Sequence, residues 1–522
     1  MLFGLFFILI IFCFCVICFE NGGYSIFLTN LLLSGSYWDP VFSVDLVSLC
    51  ILLMLSICFG YAYFYTGHYF IGDVAGIELN KIICLFVAVM ATLVLTGDLF
   101  TTLIFWEYLG IVSFFLILFY SNYLSLRSSL VTLISSRFGD VCLFLLIAFS
   151  LYSSNYTLAL VVMYFFIVFS KSAGFPFISW LLEAMRAPTP VSSLVHSSTL
   201  VAAGVWFSMR YDMFCYINDS FYYLVLLLLT IMVTGLCCFF FLDLKKIVAL
   251  STCNNISWCL IYLILGDVTL SLFQLISHGV SKCLLFMLVG DVMSGTGGSQ
   301  ASNCVYSPRL YGNWGLFGLF SVVLGLSGAP YIGVFFTKHF LLTNFSGSVN
   351  IVLLITLAFC VFLSYFYSFR LCSLFININT SVTCGVIFSF SSGIMVYFWL
   401  AINYFIASSL DETSSLVSGL SISLICFQLI SIFTGYFFYN SIIISNWSSS
   451  LFGCDNIVEL SYSIYNSIKN TISIFFYRWD NYFLSLLNGQ GSITTLNLFS
   501  SSVLNIIMIS TVIILVCSVI LY

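Results

Sequence analysis

Apolar stretches of about 20 residues follow one another along nearly the whole chain, and this succession limits its fold more than any other feature. A helical stretch of that length matches the hydrocarbon core of a bilayer. The stretches fall near 2–19, 44–66, 80–98, 100–120, 129–152, 157–178, 187–210, 221–242, 246–265, 267–293, 311–335, 348–373, 382–407, 416–440 and 500–521. The expectation is an all-α polytopic membrane protein of about fifteen transmembrane helices. In lipid every backbone N–H and C=O must be bonded within the protein, and a barrel would show alternating ten-residue segments instead. Connections are short and polar, such as 153–155 and 294–302, with no soluble domain between spans. Only 6% of residues are charged, against about 25% in soluble domains. With 62% apolar residues and a mean hydropathy of +1.16, the chain could not clothe a soluble surface.

The net charge of −5 is spread thinly, without charge blocks or low-complexity tails, so lipids rather than nucleic acid are the expected surroundings. The 20 cysteines lie scattered through apolar segments, as at Cys84, Cys142, Cys259 and Cys360, and read as small hydrophobes. Cys15 and Cys18 form a CxxC inside the first span, with no second pair to complete a metal site. The N-terminus lacks the Arg-rich, amphipathic look of a transit peptide. An organellar chain of this kind is expected to be made inside the organelle, which suits its 57 Phe and 31 Tyr.

One segment departs from the pattern. Ile457, Leu460, Ile464, Ile468, Ile472, Phe475, Trp479, Phe483 and Leu486 recur at three- and four-residue steps, one stripe of a long helix over 455–487. Asp455, Glu459, Lys469, Arg478 and Asp480 lie off the stripe. Too polar to span, this helix is expected to lie along the membrane or along neighbouring helices, or to be an ordinary amphipathic surface helix.

The chain has 14 Lys and Arg, so each one at membrane depth is informative. A charge at the bilayer centre costs about 2.5–3.5 kcal/mol on insertion scales and tends to face a partner or a wet cavity. The candidates are Glu107, Arg137, Asp140, Lys171, His196, His278, Lys282 and Lys338, spread one or two to a span as a proton or ion path would require. Glu107 and Lys171 sit in long apolar runs that give them no structural reason to exist. Arg137 and Asp140 are an i,i+3 pair that equally suits a helix end. His196 and His278 are each compatible with a satisfied core histidine as well as with a relay. Lys245 and Lys246 follow Asp243 between spans and read as a solvated loop, and Glu183 with Arg186 reads as a structural pair.

Six prolines occur, with Pro176, Pro188 and Pro190 soon after Lys171, and Pro330 between Gly328 and Lys338. Proline removes a backbone hydrogen bond and breaks a helix. Broken helices at corresponding places in two halves point to an ion site in transporters, and here each break lies near a lysine.

The stretch KSAGFPFISWLLEAMRAPTPVSSLVHSSTLVAAGVW, 171–206, closely resembles the core of the antiporter-like membrane subunits of respiratory complex I, the NADH–ubiquinone oxidoreductase. The same family resemblance is carried by FWEYLGIVSFFLILFYSN (105–122), SRFGD (136–140), DLKKIVALSTCNNISW (243–258), SHGVSKCLLFMLVGD (277–291) and LSGAPYIGVFFTKHF (326–340), from about residue 44 to 440. The Trp106–Glu107 pair and the C-terminal arrangement set it apart from chains 4 and 2 of that family.

The resemblance implies two inverted five-helix repeats, with halves at 80–242 and 243–440. N-terminal helices would occupy 1–79, a lateral helix 441–499 and an anchoring span 500–522. It implies a Glu107–Lys171 pair in the first half-channel with Arg137 and Asp140 nearby, and His196 passing protons between halves. His278 and Lys282 would form the central relay, and Lys338 the terminal lysine of the second broken helix. Partners would be other membrane subunits of the complex, especially the adjacent antiporter-like chain 4. NADH, FMN, iron–sulfur clusters and ubiquinone are expected in partner subunits, since this chain shows no Rossmann fingerprint, haem ligation or iron–sulfur cysteine set.

Three departures stand out: His339 where the family usually has Asp after the last lysine, TCNNIS at 252–257 for the usual SSQLG-like segment, and one span instead of two before 34–45. The competing readings are the large subunit of a cation/proton antiporter of the same superfamily, which usually continues into further membrane domains, and a structural scaffold. The scaffold leaves the lysines and paired breaks unexplained.

Overall fold

The computed structural model describes residues 24–27, 40–152, 157–211, 220–294, 296, 298–305, 307–308, 312–329, 332–346, 351–376, 380–381, 393–409, 418–438, 454–487, 505–506 and 508–513. The chain divides into two compact units, Met1–Ser449 and Ser450–Tyr522. In the first, a short antiparallel ribbon of β1 (Tyr24–Phe27) and β2 (Val41–Val44) precedes the helices. An all-α reading misses it, because strands of four residues carry too little alternation to register.

The helices that follow are α1 (Leu46–Tyr69), α2 (Ala75–Leu95), α3 (Leu99–Ile117), α4 (Tyr123–Tyr152), α5 (Thr157–Ser172), α6 (Ser179–Ala184), α7 (Thr189–Leu194), α8 (Leu200–Arg210), α9 (Ser220–Phe240), α10 (Leu244–Ile264) and α11 (Val268–Ser294). Then come α12 (Gly312–Ser327), α13 (Phe335–Ser346), α14 (Ile351–Ile376), α15 (Gly393–Ser409) and α16 (Ser418–Phe438). A single π turn, Val195–Thr199, joins α7 to α8 into one rod. Among the described residues ten helices are long and apolar enough to cross a membrane, and three apolar helices are shorter. The spans expected at 2–19 and most of 500–521, the Cys15–Cys18 pair and Pro330 lie outside the described residues.

Two expected spans are interrupted. The run 157–178 stops at Ser172, where Ala173 takes a left-handed φ of 56°, and the chain resumes as α6. The run 311–335 stops at Ser327 and resumes at Phe335, with Gly328 and Gly333 at φ of 88° and 58°. Glycine adopts these angles without the steric cost a side chain would bring.

Burial sorts the helices into a spine and a shell. The 189–210 rod is 100% buried along its apolar window and α10 and α11 are 94% buried, against 33% for α2. Helix α11 packs on α1, α7, the π turn, α10, α12 and α15, so it is the centre of the first unit. Cys142, Cys259 and Cys360 are buried free thiols within this packing. Close approach is set by small residues, as is usual between membrane helices. A Cβ on Gly204 of α8 would stand 3.0 Å from the Val168 carbonyl oxygen and 3.1 Å from the Ser172 nitrogen of α5.

Two arginines in apolar surroundings tie helix ends down. Arg210 ion-pairs with Asp45 at the start of α1, while its Nε donates to the Thr96 carbonyl at 3.3 Å and its Nη2 to the Ser43 carbonyl at 3.2 Å. Arg370 of α14, 1% exposed, donates to the carbonyls of Cys238 at 2.8 Å and Phe241 at 3.1 Å, satisfying the open end of α9.

The second unit contains α17 (Cys454–Leu487), 34 residues and about 51 Å long. It falls where the amphipathic stripe predicts a helix, and Leu460, Ile464, Ile468, Ile472, Phe475, Trp479 and Phe483 are all exposed.

Replacing Gly204 by Val forces its Cβ against the backbone of α5, which cannot rotate away. A loss of about 1–3 kcal/mol is expected. Thermal melting of the solubilised protein checks this against Gly419→Ala, where nothing lies within 4 Å of the added Cβ and no change is expected.

Candidate functional site

Four charges from three helices meet in the first half. Arg137 and Asp140 stand one turn apart on α4, Glu107 projects from α3, and Lys171 occupies the last turn of α5. The Arg137 Nη1 lies 3.2 Å from Glu107 Oε2 and 3.6 Å from Asp140 Oδ2, and Lys171 Nζ lies 3.6 Å from Asp140 Oδ1. The carboxylate facing Lys171 is therefore that of Asp140, and Glu107 joins the row through Arg137. The Glu107–Lys171 pairing that the resemblance implies thus runs through Arg137 and Asp140 rather than by contact, and helix geometry explains it. Successive residues of a helix point about 100° apart. Trp106 is fully buried with its ring 5.2 Å beneath Lys171 Nζ, so the adjacent Glu107 turns outward and is 47% exposed.

Lys171 and Asp140 are 0% and 2% exposed. The backbone opened just past Lys171 is satisfied from neighbouring elements: Trp180 Nε1 donates to the Ser170 carbonyl at 3.0 Å, and Cys253 Sγ to the Ala173 carbonyl at 3.0 Å. A small cavity of about 10 Å³ runs past Lys171, lined by Ser113, Thr132, Ser136, Ser170 and His196 together with the apolar Ile117 and Leu200. That is room for about one water molecule. His196 stands in the π turn, so the turn places a buried imidazole on the same cavity as the lysine.

His278 and Lys282 lie one turn apart on α11, both buried. Lys282 Nζ donates to Ser251 Oγ of α10. The adjoining TCNNIS segment ties α10 to α9, with Asn254 Nδ2 donating to the Ile231 carbonyl at 3.1 Å and to Thr234 Oγ1 at 3.3 Å. Beyond the second break, Lys338 Nζ donates to the Ser327 carbonyl at 2.6 Å and to Ser364 Oγ at 2.7 Å, over the Tyr365 ring at 4.5 Å. Ser327 ends α12, where the helix dipole favours a cation. His339 is buried beside Phe335. Ion pairing gathers on Lys171, whereas Lys282 and Lys338 are held by hydroxyl and carbonyl oxygens.

Of Lys245 and Lys246, expected in a solvated loop, one is solvated and neither is in a loop. Lys246 pairs with Asp243 at 3.3 Å and is partly exposed, but Lys245 is 5% exposed, with Nζ 3.4 Å from the Ala187 carbonyl. Both stand in the first turn of α10, and adjacent helical positions face different ways. Glu183 and Arg186 pair at 3.2 Å, as the spacing predicts. The charge survey passed over Arg210, Arg370 and a His68–Asp291 pair at 3.4 Å. Each lies in or beside an apolar run, the same signal that singled out Lys338.

Residues 96–364 match the family model described as NADH:quinone oxidoreductase/Mrp antiporter, TM. The chain belongs to this family. Among its relatives, the NADH-ubiquinone oxidoreductase chain 5 of Caenorhabditis elegans is 29% identical over 444 residues, covering 80% of this chain and 84% of that one. Chain 5 of Ascaris suum is 32% identical over 362 residues, 64% and 63% of the two chains, and that of Anopheles quadrimaculatus 33% over 354 residues, 63% and 60%. The chain thus spans somewhat under two thirds of the length of several relatives. Their shared name is the branch to which the Trp106–Glu107 pair and the C-terminal arrangement point. The fold is similar to a chain of the Mrp complex from Dietzia sp. DQ12-45-1b, with a TM-score of 0.65 at 18% identity over 94% of this chain and 60% of that one. It is also similar to a chain of the archaeal membrane-bound sulfane sulfur reductase, with a TM-score of 0.64 at 15% identity over 82% and 90%.

Asp140→Asn leaves the Lys171 ammonium buried without its carboxylate, and a loss of about 3–5 kcal/mol is expected. Glu107→Gln removes a half-exposed pair and costs about 1 kcal/mol or less. Melting temperatures of the solubilised variants check the order, and an Asp140→Asn, Lys171→Met double variant recovers most of the loss.

Proposed function

We propose that this chain is a proton-translocating membrane subunit of NADH:ubiquinone oxidoreductase, of the chain 5 branch. Membership of the family and the shared name of its relatives support the assembly. The observation that carries the chemistry is the line of buried lysines, Lys171, Lys282 and Lys338, two of them beside a helix break. Such groups at membrane depth are costly and mark ion paths.

In the first half the proton path begins at Lys171, which holds a proton at Nζ against the Asp140 carboxylate. Arg137 and the half-exposed Glu107 adjust how firmly that proton is held. The serine-lined cavity leads from Lys171 to the imidazole of His196. His278 and Lys282 take the proton through the centre, with Ser251 Oγ as an acceptor for Lys282. Lys338 delivers it, its ammonium held by the Ser327 carbonyl and Ser364 hydroxyl until release. Moving one charge against 100 mV takes about 2.3 kcal/mol, supplied by electron transfer in partner subunits that carry NADH, FMN, iron–sulfur clusters and ubiquinone. On this reading the protein lies in the mitochondrial inner membrane beside chain 4, with about fifteen spans in all. The halves at 80–242 and 243–440 are its inverted five-helix repeats, and α17 is the lateral helix bound along neighbouring subunits. The fold shared with the Mrp complex supports the alternative of a cation/proton antiporter subunit.

Native electrophoresis of mildly solubilised membranes, stained for NADH oxidation, separates the two. The chain is expected by mass spectrometry in a very large NADH-oxidising band. Its presence only in a smaller, inactive assembly would favour the antiporter, with sodium-dependent proton exchange as the next assay. Within the large assembly, Lys171→Ala is expected to reduce protons moved per electron, and unchanged pumping would remove Lys171 from the path.

A further inference from the structure

A second polar cluster lies at one end of the bundle, away from Lys171. A cleft of about 480 Å³ opens where the C-terminal ends of α1 and α11 meet the N-terminal ends of α7 and α10. His68, Asp73, Tyr120, Thr189, Lys245 and Ser294 line it, among others. His68 Nε2 stands 3.4 Å from Asp291 Oδ1, and that carboxylate is 3% exposed although the imidazole is 18% exposed. Tyr65, one turn before His68 and fully buried, brings its hydroxyl to 2.5 Å from where a Cβ on Gly290 would stand. Only glycine at 290 leaves that hydroxyl room beside Asp291 and Thr189.

The cleft is mixed in sign, with His68 and Lys245 against Asp73 and with Asp291 buried behind His68, which suits water and protons better than an anionic headgroup. Its walls are also the roots of the two helices that hold the central lysine. Asp291 lies nine residues beyond Lys282 on α11, about 14 Å of helix. Lys245 lies six residues before Ser251, the partner of Lys282, about 9 Å on α10. Helices α10 and α11 therefore lead from the cleft to the central relay, and neither belongs to the Lys171 cluster.

We propose that this cleft is a proton port, at which water on one side of the membrane loads the central relay of His278 and Lys282 through the His68–Asp291 pair. A hydronium ion in the cleft gives its proton to the pair and leaves as water. The pair passes a proton inward past the Tyr65 and Thr189 hydroxyls and the Lys245 side chain to Lys282, and returns to its starting state. The port rests on the proton-translocating reading above.

The test uses the whole assembly in sealed vesicles. Ser294→Cys puts a thiol at the lip of the cleft, and a cationic, membrane-impermeant methanethiosulfonate reagent is applied from each side in turn. Labelling at residue 294 from one side only is expected, located by mass spectrometry because the chain has 20 other cysteines. With it should come a loss of protons moved per electron as large as in Lys171→Ala, while NADH oxidation in uncoupled vesicles persists. His68→Gln and Asp291→Asn are expected to show the same loss, and Asp291→Glu to restore pumping. Labelling that leaves pumping unchanged, or no labelling from either side, overturns the port. So does full pumping in assembled His68→Gln and Asp291→Asn. If Lys171→Ala itself pumps normally, the failure belongs to the proton-translocating reading and not to the port.

Discussion

Hydrocarbon offers neither hydrogen bonds nor solvation, so a cation or an open backbone carbonyl at membrane depth must find its partner inside the protein. The fold meets this by letting the two needs satisfy each other. The break after α12 exposes the Ser327 carbonyl, and Lys338 donates to it. The end of α9 exposes the carbonyls of Cys238 and Phe241, and Arg370 covers both. At the first break the Ser170 and Ala173 carbonyls are taken by Trp180 and Cys253, which frees Lys171 to face Asp140. A lysine held by a carboxylate and a lysine held by neutral oxygens are not equivalent. The first is anchored by charge, while the second can lose its proton and leave no carboxylate unpaired.

This economy explains the layering. The helices carrying His196, His278 and Lys282 are almost wholly buried, and α2 on the outside is only one-third buried. Small residues let the spine close up, with Gly204 against the backbone of α5 and Gly290 against the Tyr65 hydroxyl. Tight packing leaves polar space only in places, such as the serine-lined cavity between Lys171 and His196 and the cleft at the His68–Asp291 pair.

Helix geometry also limits what a motif can say. Neighbouring residues on a helix diverge by about 100°, so two adjacent charged or polar positions meet different neighbours. Trp106 and Glu107 illustrate this in α3, one under Lys171 and the other turned out to Arg137. Lys245 and Lys246 repeat it at the start of α10.

The sequence by itself determined that the chain is a stack of apolar helices, because apolar length and the scarcity of charge are local properties of the chain. It also singled out Lys171, Lys282 and Lys338 as candidates, because a lysine in an apolar run is costly. The breaks were legible in Pro176 and Pro330, although Pro330 itself lies outside the described residues, and the stripe of α17 was legible in its period. Which oxygen faces which ammonium was not. That Asp140 rather than Glu107 meets Lys171 depends on the rotation of α3 about its axis, set by how Trp106 packs. That Arg370 closes α9, and that His68 meets Asp291 across more than two hundred residues, depends on helices distant in sequence coming side by side. Composition and spacing act along the chain, whereas partnership at membrane depth acts across it, so only the tertiary structure could decide it.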